Sequence, residues 1–265
     1  MSPLQPVTLI TGASAGIGKA LARVFASHGH RLALTARRTA ELDALADEIA
    51  AGGKPRPQVI TADLAQPDGP ILLAEALTTA GLEPEILVNN AGFGLLGEAA
   101  SLDHARQLAI VNLNARALTE LSLRFIDSIK RHRGGILNVA SIAGFLPGPG
   151  MAAYHASKAY VVSFSEALHE ELKGDGVRVC ALCPGPVPTE FNARAGIPDG
   201  FFPGYLSASA TQVARAGYDG FMAGHRVVVP GKLNRMMTLL PRLVPRSLIN
   251  IGMYLRWKEA VRPGG

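Results

Sequence analysis

Seven short apolar runs alternate along the chain with longer segments of helical periodicity, and that alternation leaves few folds open. The runs are Val7–Thr11, Arg31–Ala36, Gln58–Ala62, Glu85–Asn89, Ile136–Ala140, Val177–Leu182 and Val227–Val229. Most are continuously apolar, as strands buried on both faces must be. Helical spacing is read over Ile17–His28, Thr39–Ala51, Gln66–Ala80, Leu102–His132, Met151–Lys173 and Thr211–Ala223. Gly29 and Gly52-Gly53 close the first two, and Thr39 is taken as the cap of the second. Strands joined by right-handed helical crossovers form a doubly wound parallel sheet. A chain of 265 residues holds one such domain with a substantial core, so residues 1–265 are read as a single α/β unit with seven strands.

The net charge of +5 is unevenly placed. From Arg226 onward eight cations face only Glu259, a net +7, so the first 225 residues carry −2. A basic tail on a weakly acidic body argues against a nucleic-acid-binding domain. Cys180 and Cys183 form a C-x-x-C, but no second motif of metal-ligating spacing completes a site, and a strand points the two to opposite faces. They are read as core residues in a reducing compartment, with no metal expected. The N-terminal Met-Ser-Pro-Leu-Gln-Pro has neither the charged nor the apolar part of a secretory signal. No window approaches the ~20 apolar residues that span a bilayer, so a cytoplasmic protein is expected.

Between the first strand and the first helix lies Thr11-Gly-Ala-Ser-Ala-Gly-Ile-Gly18. This is where helix N-terminal amides can receive a dinucleotide pyrophosphate. Gly12 permits the tight turn, Gly16 lets phosphate approach, and Gly18 lets helix and strand pack closely. An NAD site places a carboxylate at the end of the second strand; here Ala36 stands there, followed by Arg37 and Arg38. A carboxylate would repel a 2′-phosphate, whereas Arg37 can grip one by charge-assisted bonds, so NADP(H) is expected.

Tyr154 and Lys158 are spaced i,i+4 at the start of a long helical segment and so share a face. A nearby ammonium favours a phenolate and should lower the tyrosine's pKa. Asn138-Val-Ala-Ser141 ends the fifth strand and sets a hydroxyl at the carboxyl rim of the sheet, where ligands bind in such folds. Ile110-Val-Asn112 places an amide inside the preceding helical stretch, with Asn114 the rival for its role. Asn89-Asn90-Ala91-Gly92, Asp63 and Pro184-Gly-Pro-Val-Pro-Thr189 each follow a strand.

In this order and spacing the motifs resemble the short-chain dehydrogenase/reductase family, over roughly residues 7–189. That resemblance implies a Rossmann fold and carbonyl–alcohol interconversion by hydride transfer with a nicotinamide. It implies Tyr154 as general acid/base, Ser141 holding the substrate oxygen, and Lys158 tuning Tyr154 and binding the nicotinamide ribose. The family pattern selects Asn112 to position a water relay. Asp63 and Asn90 would meet the adenine side and Thr189 the nicotinamide amide. Ser14, Ile17, Leu64, Ala91, Gly92, Pro184, Gly185 and Val187 complete the expected cofactor contacts. The expected partners are a small carbonyl or alcohol and further copies of the chain, as a homodimer or homotetramer. Two other readings share the motifs: an epimerase or dehydratase, and a non-catalytic NADP(H)-sensing regulator. Extended-group epimerases have a different glycine spacing and a longer substrate domain, and sensors often lose the Tyr or Lys retained here.

Residues 190–223 carry Phe191, Phe201, Phe202 and Tyr205 among Gly and Pro and are read as a substrate lid. Their aromatics suggest an apolar or acyl substrate. The extension 230–265 mixes apolar residues with spaced cations, and Pro241 and Pro245 forbid one continuous helix. It resembles the C-terminal extension of a bacterial subgroup. It is read as a pair of interfacial helices making peripheral contact with anionic lipid, or as an arm packed on a neighbouring subunit or beside the lid.

Overall fold

The computed structural model describes residues 3–260. Seven parallel strands form one sheet: β1 Gln5–Thr11, β2 Leu32–Ala36, β3 Gln58–Thr61, β4 Leu82–Asn89, β5 Gly135–Val139, β6 Arg178–Leu182 and β7 Val227–Val228. Their spatial order is β3-β2-β1-β4-β5-β6-β7. The chain builds outward from β1 to β3, then returns to β1's other side to begin β4. The loops leaving β1 and β4 therefore part company, and a crevice opens between them at the strands' carboxyl ends.

Both faces of the sheet are covered, which is why the central strands are largely apolar. On one face lie α1 (Gly16–Ser27), α2 (Thr39–Ala51) and α8 (Ala210–Met222), around Ile10, Phe25, Leu42, Val213 and Phe221. On the other lie α3 (Gly69–Thr79), α5 (Leu118–Arg131) and α6 (Ala152–Leu172), around Leu9, Leu73, Leu121 and Leu168. Neighbours Leu9 and Ile10 thus serve opposite cores, as the period of a strand requires. Cys180 and Cys183 likewise enter different clusters, and burial pushes both thiols up, that of Cys180 to about 12. Protonated thiols of this kind are poor nucleophiles.

Several expected boundaries move for identifiable reasons. β4 starts at Leu82 rather than Glu85, through Pro84, because the β1–β4 register shifts at Val7/Thr8 and the ring needs no ladder bond there. Thr39 does not cap α2: Arg38 is the cap residue, and the Thr39 hydroxyl instead meets that of Thr61 at 2.7 Å. The stretch expected as one helix from Leu102 starts at His104, behind Asp103, whose carboxylate accepts from Arg106 N–H at 2.7 Å. It is then divided into α4 (His104–Val111), a π-helical turn over Asn112–Ala117, and α5.

Beyond β6 come a short α7 (Glu190–Ala195), then α8, and after β7 the helices α9 (Lys232–Leu243) and α10 (Arg246–Ala260). The expected lid of residues 190–223 is too long: α8 belongs to the core, with Val213, Ala214 and Phe221 fully buried. The expected interruption of the extension occurs at Pro245, while Pro241 is accommodated inside α9. Residues 261–265, with the cation Arg262, lie outside the described residues.

Two glycines fix the crevice. Gly12 has φ +65°, and a side chain there would meet Ala91 Cα at 2.8 Å. A Cβ on Gly18 would lie 2.3 Å from Asn90 Nδ2 and 2.4 Å from the Gly12 carbonyl. Gly18→Ala is therefore expected to lower unfolding stability by about 1–3 kcal/mol, because added volume must displace backbone. Denaturant unfolding tests this; a variant as stable as the parent would contradict the close approach.

Candidate active site

A cavity of about 810 Å³ opens at the carboxyl ends of β1, β4, β5 and β6. Its first end is the glycine loop. Gly12, Ser14, Gly16 and Ile17 line it, together with Arg37, Arg38, Asp63 and Leu64. Gly18 does not line it; packed beneath the loop, it acts through helix–strand contact alone. The cap residue of α1, Ala15, makes no side-chain hydrogen bond, and the first turn holds no acid. The N-terminal amides of α1 are thus left without a side-chain cap and point to an anion.

Asn90 lines the cavity and also braces it. Its amide donates to the carbonyls of Thr11 at 2.8 Å and Gly12 at 3.1 Å, so it braces the glycine loop. Thr11 completes the brace: its hydroxyl accepts from the N–H groups of Asn90 and Ala91, both at 3.0 Å. Sequence reasoning quoted Thr11 within the motif and missed this task.

Beside the glycine loop, no carboxylate follows β2. Arg37 is exposed on the rim. Arg38 turns inward, with Nη2 3.2 Å from Ser14 Oγ and 3.1 Å from Glu190, and Nη1 3.0 Å from Glu41. The guanidinium beside the loop hydroxyl is thus Arg38, whereas the sequence had put Arg37 first. The Arg38–Glu190 pair also ties the end of β2 to α7 across the cavity.

The far end holds the chemistry. Tyr154 and Lys158 lie one turn apart near the start of α6, with Lys158 Nζ 5.9 Å from the phenol ring centre. Ser141, just past β5, neighbours the Tyr154 hydroxyl, while its Oγ lies 3.5 Å from the Pro184 carbonyl. Ser141 is also a cap: its Oγ accepts from Ala143 N–H at 3.1 Å, which fixes where the hydroxyl points. Lys158 Nζ donates to the Val139 carbonyl at 2.7 Å. Burial pushes the Tyr154 phenol up to about 12, the neighbouring Ser141 offsetting part of this, and brings the Lys158 ammonium down to about 8. The expected lowering of the phenol by the ammonium is therefore reversed: desolvation is the larger effect, and the ammonium spends its bond on a backbone carbonyl.

Asn112 does not reach this cluster; Asn114 does. A Cβ on Gly92 would lie 2.9 Å from Asn114 Oδ1 and 3.5 Å from Lys158 Nζ, so the amide and the ammonium flank the same glycine. Asn114 is buried, accepts from Phe93 N–H at 3.1 Å, and donates to the Phe93 carbonyl and to Ser157 Oγ, both at 3.0 Å. The π-helical turn rotates the helix face, so that the second Asn of Asn-Leu-Asn faces inward.

Ala91, Gly92, Pro184, Gly185, Val187 and Thr189 line the middle of the cavity. Thr189 closes over the loop, its Cβ 3.3 Å from where a Gly16 side chain would begin. Beyond Tyr154 the wall becomes apolar, with Leu96, Met151, Phe191, Phe201 and Phe202. Met237 of α9 and Met253 and Trp257 of α10 complete it. These three carry no individual signal in the sequence beyond the helical spacing of the extension.

A family model described as short chain dehydrogenase matches residues 6–197. The chain belongs to the short-chain dehydrogenase/reductase family. It is 36% identical over 191 residues to an uncharacterized oxidoreductase of Myxococcus xanthus, covering 72% of this chain and 75% of that one. Among solved structures, a short-chain dehydrogenase from Sphingobium yanoikuyae in complex with NADPH superposes with a TM-score of 0.78 at 31% identity, over 98% of each chain. The bulky-bulky ketone specific alcohol dehydrogenase from Comamonas testosteroni does so with 0.73 at 27% identity, over 100% of this chain and 97% of that one. As in this oxidoreductase family generally, the fold is a seven-stranded parallel sheet of Rossmann type in one domain.

A buried ammonium with one backbone bond costs stability that only function explains. Lys158→Met is expected to raise unfolding stability near neutral pH by roughly 1–3 kcal/mol while abolishing turnover. The folded value of about 8 lies below the unfolded one of 10.5, so the cost is fully present below pH 8. The gap between variant and parent should close as pH rises from 8 towards 10.5. Unfolding midpoints across that range check both sign and window.

Proposed function

We propose that the chain is an NADP(H)-dependent carbonyl reductase, interconverting a bulky ketone or aldehyde and its alcohol. The observation that carries this reading is the Tyr154 phenol beside Ser141, with Lys158 one turn away, all three lining the cavity that begins at the glycine loop. The cradle suits a dinucleotide: the uncapped amides of α1 would take its pyrophosphate, and Arg38 with Ser14 would take a 2′-phosphate. When bound, the nicotinamide supplies the hydride.

The chain's own residues handle the proton and the oxygen. A phenol near 12 stays protonated at neutral pH and so stands ready as the acid that protonates a developing alkoxide. Ser141, oriented by Ala143 N–H, donates to the same oxygen and holds the carbonyl over the phenol. An ammonium near 8 exchanges protons readily at physiological pH and can return one to Tyr154. Asn114 takes the positioning role expected of Asn112: it fastens Phe93 and Ser157 around Lys158. The aromatic and methionine wall favours a bulky apolar group on the carbonyl carbon, and the span 189–206, Phe191 included, serves as the lid over it.

Tyr154→Phe is expected to retain NADPH binding, followed by fluorescence titration, while kcat falls by about 10²-fold or more. Normal turnover would remove Tyr154 as the acid. At the other end, Arg38→Ala should weaken NADPH binding by about tenfold and NADH far less. Glu190→Gln should tighten NADPH two- to fivefold, roughly the worth of a part-exposed ion pair, because the carboxylate competes for Arg38. Equal effects on NADPH and NADH would refute the 2′-phosphate assignment.

A further inference from the structure

Helices α9 and α10 each turn one face to the body and a second, apolar face outward. Their inner faces are accounted for. Asn234 donates to the carbonyls of Leu206 at 3.1 Å and Pro230 at 3.0 Å, pinning α9 to the body. On α10, Ile249, Met253 and Trp257 recur at i, i+4, i+8; Ile249 and Trp257 are buried, and the latter two line the cavity.

The outer faces have no such account. On α9, Leu233, Met236 and Leu239 recur every three residues and are exposed, Met236 by 62%. On α10, Leu248, Ile251 and Leu255 share a face at i, i+3, i+7 and are 59%, 56% and 60% exposed. A soluble surface helix ordinarily turns charge outward, and a concentration of exposed aliphatics marks a contact surface. Lys232 and Arg235 are exposed on α9 beside its apolar row, and Lys258 on α10 lies 5.7 Å from the exposed Tyr254 ring.

We infer that this outer face docks the protein on an anionic lipid surface, with α9 and α10 lying in the interface. Three observations select that occupant. Among the described side chains of α9 and α10 the charged ones are Lys232, Arg235 and Lys258, all exposed cations beside the emerging aliphatics. A second copy seated by twofold symmetry would set this patch against itself, cation against cation. Among the described residues no helix is long and apolar enough to cross a membrane, which leaves contact along the surface. On the carbonyl-reductase reading, the inner faces of the same helices wall the substrate cavity. An apolar carbonyl compound dissolved in the bilayer would then enter beside Met253 and Trp257.

Sedimentation of the full chain with NADPH tests docking separately from catalysis. Vesicles of phosphatidylglycerol are compared with phosphatidylcholine, at low ionic strength and at about 0.5 M salt, where surface charge is screened. Binding to the anionic vesicles at low salt, weak on the neutral ones, is expected. Replacing Leu248, Ile251 and Leu255 by Ser should reduce partition at least tenfold. Each of Lys232→Gln and Arg235→Gln should reduce it about fivefold. NADPH binding reports that each variant is folded, and turnover of a water-soluble ketone should be unchanged. Folded parent protein that stays in solution with phosphatidylglycerol overturns the proposal. So does a serine variant that loses self-association in ultracentrifugation while neither protein binds vesicles, which would assign the face to a second copy. Loss of ketone turnover with docking intact would count against the catalytic reading alone.

Discussion

An ammonium ion held inside the protein by a single backbone carbonyl organises the rest of this structure. Lys158 sits on the first turns of α6 with its Nζ on the Val139 carbonyl at 2.7 Å, and burial has already carried its pKa down to about 8. Removing a charge from water without a carboxylate partner is costly. Its neighbours make the position workable. β5 ends at Val139 and presents that carbonyl, and Gly92 leaves the space that a side chain would occupy. The π-helical turn brings the Asn114 amide to the other side of Gly92. Nothing in packing asks for a lysine here. Its placement makes sense once a phenol one turn away must gain and lose a proton in a closed site.

The sheet order makes that cluster and the glycine loop parts of one cavity. With β1 and β4 adjacent but their following loops diverging, the Thr11 hydroxyl can serve the amides of both Asn90 and Ala91. A brace between neighbouring strand ends thus sets the loop for phosphate at one end and the path to Ser141 and Tyr154 at the other. The Arg38–Glu190 pair crosses the same opening, so the segment after β6 is tied to the end of β2 as well as to Tyr154, against which the Phe191 ring packs at a tilt with centroids 5.4 Å apart.

The strands, the glycine loop and the Tyr154/Lys158 pair were legible because each is written in local spacing. A continuously apolar run, a glycine needing positive φ and an i,i+4 pair all act within a few residues. What was misread depends on phase or on distant partners. Asn112 and Asn114 both look like interior amides in a helix, and only the wider π-helical turn decides which faces Lys158. Arg37 and Arg38 are adjacent cations, and the choice between them rests on Ser14, Glu41 and Glu190 from elsewhere in the chain. That Asn90, besides lining the cavity, braces the glycine loop shows only once the Thr11 and Gly12 carbonyls are seen within its reach. The pattern of α10 announces a helix, but not that Met253 and Trp257 face the cavity while Leu248 and Ile251 face outward.

The central claim is that this cavity moves hydride to a carbonyl carbon while Tyr154 supplies the proton. Mass spectrometry of the product formed from a bulky ketone and NADPH deuterated at the transferring position addresses it most directly. The account predicts an alcohol with one deuterium on the carbinol carbon. Recovery of unlabelled alcohol, or of unchanged ketone across a panel of such substrates with NADPH demonstrably bound, would contradict it.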